Sequence, residues 1–213
     1  MLAAALWLVS GLWYLGTEAL VAAHLRGYSY SVDFISDLGR PGHSPWAGWM
    51  NLAFIQQGIA FVAASFLAGA TARRRPQVRV FLGLAVVYGV GSSLVGLCHS
   101  GVGVDQSAHI VGAVGAIVGG NLALIAAGAG LLRQGRRGCV GFGWASCSLG
   151  SVGLACAAAL MLNGAADNAV PAGGGFWERG AVYTIIGWQL VAALVLLAMP
   201  PPTREHQRSR SAR

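Results

Sequence analysis

Residues Ala108–Leu132 read AHIVGAVGAIVGGNLALIAAGAGLL, a run without a single Asp, Glu, Lys or Arg. About 20 apolar residues, each rising about 1.5 Å, carry a helix across a bilayer core. The run lacks the alternation of apolar and polar positions that a membrane barrel strand shows, so a helix is expected. Its Gly112, Gly115, Gly119 and Gly120 include a small-xxx-small pair, Gly115 and Gly119, of the kind that lets helices approach closely in lipid.

Working outward, the same character recurs five times. The other apolar runs span about 2–25, 46–72, 80–98, 139–162 and 180–199. The fold class expected is all-α: a polytopic membrane protein with six transmembrane helices in one compact bundle. The domain would cover 1–200, and 201–213 would be a basic, disordered cytoplasmic tail. The first run has no basic start and a long apolar stretch, so it reads as a retained helix rather than a cleaved signal.

The whole chain agrees. Of 213 residues, 55% are hydrophobic and 10% charged, with a mean hydropathy of +0.62. A soluble domain carries about 25% charged residues, which excludes an ordinary soluble enzyme. Thirty-two glycines without a three-residue period exclude collagen. The four cysteines (Cys98, Cys139, Cys147 and Cys156) show no CxxC or metal spacing and read as small buried hydrophobes.

The net charge is +7, and all 14 basic residues are arginines. Arg73, Arg74, Arg75 and Arg79 follow the second run. Arg133, Arg136 and Arg137 follow the fourth, and Arg204, Arg208, Arg210 and Arg213 end the chain. The remaining loops hold only Arg26, Arg40 and Arg179, beside Asp33, Asp37, Asp105, Asp167 and Glu178. By the positive-inside rule the arginine-rich side is cytoplasmic, with both termini there. The basicity then points to contact with an anionic inner leaflet, not nucleic acid.

Polar residues inside the runs are informative because they are costly there. Gln56, Gln57, Asn121 and Gln189 are expected to bond between helices. Glu18 lies within the first run, on a stripe with Trp7, Gly11 and Tyr14, and Tyr14 could donate to it from one turn below. His24, His43, His99 and His109 all map to the outer side. Ser44-Pro45 suggests an N-cap followed by Pro at N1 of the second helix. Asp105 or Ser107 could cap the fourth, and Asp37 could simply close a turn. Arg179, at the start of the last helix, is disfavoured by the macrodipole and should need a carboxylate or phosphate partner.

Ile35-Ser36-Asp37-Leu38-Gly39 follows the first helix, Asn51 lies early in the second, and His109 opens the fourth. Phe176-Trp177-Glu178-Arg179 leads into a final helix with Trp188. Together these resemble the domain-of-unknown-function family numbered 998, over almost the whole chain. The resemblance implies a six-helix bacterial membrane protein and assigns no activity. The Arg-only, Ala/Gly-rich composition is similar to that of actinobacterial proteins.

Two functional readings stay open. One is binding or moving a lipid or small amphiphile through an outward-facing polar site at the plasma membrane. Its ligand-binding candidates are Arg40, Asn51, His99, Glu178 and Arg179, with the arginines on an anionic head group. The other is an interfacial or intramembrane hydrolase with Ser36, Asp37, His109 and Glu18 as catalytic candidates. No cofactor is expected. A zinc site would need about three ligands, for which His99, His109 and Asp37 or Glu18 are the candidates. A haem would need two facing histidines at similar depth, for which His24 with His99 or His109 are the candidates, although they lie at the boundary rather than inside the bundle. Asp37, His109, Glu178 and Arg179 are expected to converge on the outer end.

Overall fold

The structure is a computed structural model that describes residues 1–101, 105–135, 137–165 and 173–198, with only the backbone of Arg137 and Ala165. Arg136, Asp167 and the 201–213 tail lie outside the described residues.

The described residues form six long helices and no strand. They are α1 (Leu2–His24), α2 (Ala47–Gly69), α3 (Pro76–Leu97), α4 (Ser107–Gln134), α5 (Arg137–Ala165) and α6 (Gly174–Ala198). A 3-10 helix, Ile35–Gly39, sits in the first connection, and another, Ala70–Ala72, extends α2. Each of the six is long and apolar enough to span a membrane. Each packs against the next, α1 closes the ring against α6, and α4 touches α6 across it.

Three boundaries differ from the sequence reading. Helix α3 starts at Pro76, not near Val80, because proline takes N1, where no N–H is needed. Helix α6 starts at Gly174, so Glu178 and Arg179 lie inside it rather than at its edge. Helix α2 starts at Ala47 with Trp46 as N-cap, not at Ser44-Pro45. There the chain is still turning through Gly42, at φ +78°. The Ser44 N–H bonds back to Arg40 O, and the Ser44 hydroxyl is buried without a partner. At α4 the N-cap Gln106 makes no side-chain capping bond; its Nε2 donates to Gly101 O instead. Asp105 accepts from Ser107, whose hydroxyl and then N–H (2.9 Å to Oδ1) hold this exposed carboxyl below its usual range.

Close backbone approach sets the α3–α4 contact. A Cβ on Gly91 would fall 2.4 Å from Ala116 N and 2.5 Å from Gly112 O. Buried aromatics fill one half of the bundle, where Trp7, Phe61 and Trp188 meet. Tyr14, Ile35, Leu38, Met50, Phe54 and Ile186 fill the other. Three of the four amides link helices as expected, whereas Gln56 Oε1 is buried without a hydrogen-bond partner. Gln57 Nε2 donates to Gln189 Oε1 at 2.6 Å, and Gln189 Nε2 donates to Trp7 O and Ser10 Oγ. Asn121 Nδ2 donates to Ala181 O, and its Oδ1 accepts from Thr184. All four cysteines are free.

Trp7 of α1 and Leu196 of α6 line one cavity together with Gln77 and Gln134. The described chain therefore starts and stops at the same end of the bundle, the end with the 73–79 arginines. The Ile35–Gly39 segment marks the opposite, loop end.

Candidate functional site

The loop end is built on two carboxylates. Glu18 is 1% exposed, three turns from the start of Trp7's stripe. Its Oε1 accepts Arg179 Nε at 3.0 Å and the Tyr183 hydroxyl at 2.9 Å. The tyrosine that reaches Glu18 is thus on α6, and the expected bond from Tyr14 is replaced. A helical neighbour one turn away is aimed along α1, whereas Tyr183 points across the α1–α6 seam. Glu18 Oε2 is buried with no hydrogen-bond partner.

Arg179 finds the carboxylate it was expected to need. Its Nη1 also donates to Tyr30 O (2.6 Å), Asp33 O (2.9 Å) and Gly175 O (3.2 Å). Its Nη2 donates to the Tyr28 hydroxyl. The guanidinium lies over the Tyr30 ring, 4.6 Å from its centroid. Tyr28 passes the bonding on, donating to Phe34 O at 3.0 Å. A planar five-donor fork can tie two helices and a loop in this way, and an ammonium cannot. Burial raises the Tyr28 phenol above its ordinary value, against the opposing pull of the Arg179 charge.

The 28–34 strap delivers the next segment. Asp37 Oδ2 accepts the Phe34 N–H at 3.0 Å, so Asp37 closes the turn that starts the 3-10 helix. Its Oδ1 lies 3.8 Å from Arg40 Nη1. Ile35 and Leu38 are fully buried and seat the segment on the bundle. Asn51 Nδ2 donates to Gly39 O at 2.8 Å, and any Cβ at Gly39 would overlap Asn51. The Ile35 N–H donates to Glu178 Oε2 at 2.5 Å.

This arrangement encloses a cavity of about 50 Å³. Ser36, His109 and Glu178 line it together with Tyr14, Tyr88 and Ser92. The rest of the wall is apolar, including Ile35, Phe54 and Val95. His109 Nδ1 is 2.7 Å from Cys98 O. A carbonyl can only accept, so Nδ1 is the donor and Nε2 is the ring's remaining acceptor position. Among the described residues Glu178 has no cation within ion-pair distance, since Arg179 pairs with Glu18. Ser92 Oγ is used on Phe54 O, and Tyr88 accepts from Gln57.

The sequence candidates therefore divide. Ser36, His109 and Glu178 share the cavity. Glu18 and Arg179 form the pair beside it, Asn51 ties down the 3-10 helix, and Asp37 caps it. Arg40 and His99 line a separate surface cleft with His43. Among the described residues no three His, Cys, Asp or Glu side chains are grouped to hold a metal ion, so His99, His109 and Asp37 stand apart in that respect. Sequence reading missed Tyr28, Tyr30, Tyr88 and Tyr183, which carry much of the polar contact. The one signal for Tyr28, Tyr30 and Tyr183 was their clustering toward the end already rich in carboxylates, whereas Tyr88 lies mid-helix against Gln57.

Residues 3–195 match the family described as proteins of unknown function, DUF998, and the chain belongs to that family. Neither a curated protein nor a solved structure matches the chain.

Proposed function

We propose that this DUF998 member is a plasma-membrane protein of bacterial type, loop end outward, that binds a small amphiphile at the His109–Glu178 cavity. Its preferred head group is a hydrogen-bond donor, an amine before an alcohol. The observation that carries this reading is Glu178, a carboxylate without a counter-cation, beside an accepting imidazole in an otherwise apolar wall. An unpaired charge in such surroundings is costly and favours a complementary cation. An anionic head group held by arginine is less well supported, because the Arg179 donors go to Glu18 and the 28–33 strap. The cavity's volume admits a head group, at about 30 Å³ per water-sized unit. The tail would leave between the apolar side chains of the wall.

The test is thermal unfolding of the purified protein in detergent with dodecylamine, dodecanol or dodecanoate. Ligand at about 100 times its Kd adds about 2.7 kcal/mol, enough to read as a shift in Tm. Dodecylamine should stabilise most and dodecanoate least, and Glu178→Gln should remove the difference. Equal stabilisation by all three, or an amine effect that survives Glu178→Gln, sinks the reading.

The hydrolase reading keeps one observation in its favour: Ser36 and His109 line the same cavity. A nucleophilic serine needs a base within hydrogen-bond reach. Labelling of the protein by a fluorophosphonate, lost in Ser36→Ala, would favour it.

A further inference from the structure

The bundle holds a second, larger cavity at the opposite, arginine-rich end. It measures about 210 Å³ and is lined mainly by apolar side chains, among them Phe81, Ala127, Phe142 and Trp188. An apolar cavity of about 150 Å³ already stays dry and takes up a benzene-sized molecule. Trp7 lines this slot, is 3% exposed, and has an indole N–H with no hydrogen-bond partner.

The slot does not end blindly. Gln77, Val78, Gly130 and Gln134 belong both to it and to an adjoining cleft of about 170 Å³. That cleft adds Arg75 and Arg133, both exposed, and neither has an ion pair among the described residues. An apolar chamber thus opens through two amides onto two unneutralised guanidiniums. The order of chemistry, apolar, then neutral polar, then cationic, matches a lipid from acyl chain through ester to phosphate. Guanidinium is well suited to bidentate contact with phosphate.

We infer that the arginine-rich end holds one anionic phospholipid, with an acyl chain in the Trp7–Trp188 slot and its phosphate at Arg75 and Arg133. The site lies in the leaflet at that end and is independent of the His109–Glu178 cavity. It differs from general attraction of basic loops to a charged surface, because the chain must enter the protein.

The experiment is native mass spectrometry of the full chain released from nanodiscs. These contain phosphatidylglycerol and phosphatidylcholine in equal amounts with identical acyl chains. The expected result is one retained phosphatidylglycerol per chain, preferred by about thirtyfold, the combined effect of two arginines near the surface. Arg75→Gln with Arg133→Gln should abolish the preference; both positions are exposed, so the fold is kept. Ala127→Phe, which fills the slot, should abolish retention of either lipid with the helical circular dichroism unchanged. Dodecyl phosphate should displace the lipid, and inorganic phosphate should not. The proposal is overturned if the double variant keeps the preference. It also fails if a folded Ala127→Phe protein still retains lipid, or if inorganic phosphate alone displaces it.

Discussion

Glu18 in α1 and Arg179 in α6 are 161 residues apart in sequence and 3.0 Å apart in space, with side chains 1% and 8% exposed. The pair closes the helix ring at its α1–α6 seam, and through the other Arg179 donors it holds the 28–33 strap. Each ion owes its presence in the interior to the other.

Removing one member should therefore hurt more than removing both. Arg179→Met leaves Glu18 buried with only the Tyr183 hydroxyl, and loss of one partner of a buried pair costs about 3–5 kcal/mol. The double variant Glu18→Met/Arg179→Met leaves no orphan charge and should unfold at a higher temperature than the single. Arg179→Lys should rank with the loss variants, since an ammonium cannot replace the fork on Glu18, Tyr30 O, Asp33 O and Gly175 O. Thermal unfolding of the set in one detergent decides it. A double variant less stable than Arg179→Met would show that the ions act separately.

The strap gives a pH dependence. Burial raises the Tyr28 phenol above its ordinary value, near 10 for an unperturbed tyrosine. The fold therefore favours the protonated phenol. That contribution is fully present below about pH 10 and is lost as pH rises beyond it. Hydrogen exchange over residues 28–35 should accelerate above pH 10 more than chemistry alone requires. Tyr28→Phe should show faster exchange at neutral pH and no further structural step in alkali. An identical alkaline step in the variant would assign it to another group.

What the sequence could show depended on the range of the interaction. A span is a property of about 20 consecutive residues, so all six were visible from runs such as 108–132. Glu18 stood out because an ionisable group in an apolar run is unusual wherever its partner lies. Its partner was invisible, since nothing near Arg179 points to residue 18. The Ser44-Pro45 cap was misread because the cap pattern was present locally while Gly42 and the Ser44 N–H bond kept the chain turning. The cavity's lining came from six separate elements, α1, the 3-10 helix, α2, α3, α4 and α6, brought together by the ring closure. The slot at the arginine-rich end gave no distinct signal, because the apolar and small residues that line it have the composition of ordinary helix packing.

The amide layer midway between the two ends should be strongly coupled. Gln189 accepts from Gln57 and donates to Trp7 O and Ser10 Oγ, so its removal breaks three bonds. At about 0.6 kcal/mol per interhelical bond in lipid, Gln189→Leu should cost about 2 kcal/mol. Gln57→Leu removes one of the same bonds together with that to Tyr88. The double variant should then cost less than the two singles added. Strict additivity in chemical or thermal unfolding would mean that the two glutamines find other partners when either is lost.

The last test separates glycines that look alike in sequence. Gly91 and Gly115 both lie in helices rich in small residues, and Gly115 belongs to the more obvious small-xxx-small motif. A Cβ on Gly91 would strike the backbone of α4, at Ala116 N (2.4 Å) and Gly112 O (2.5 Å). A Cβ on Gly115 would meet nothing nearer than 3.7 Å. Backbone cannot rotate away as a side chain can, so Gly91→Ala must push α3 and α4 apart, and overpacking of this kind costs about 1–3 kcal/mol. Gly115→Ala should be neutral or slightly stabilising, since alanine is the better helix former by nearly 1 kcal/mol. Unfolding temperatures of the two variants in the same micelles measure the difference. If Gly115→Ala proves the more damaging, the α3–α4 contact runs along a different stripe of α4.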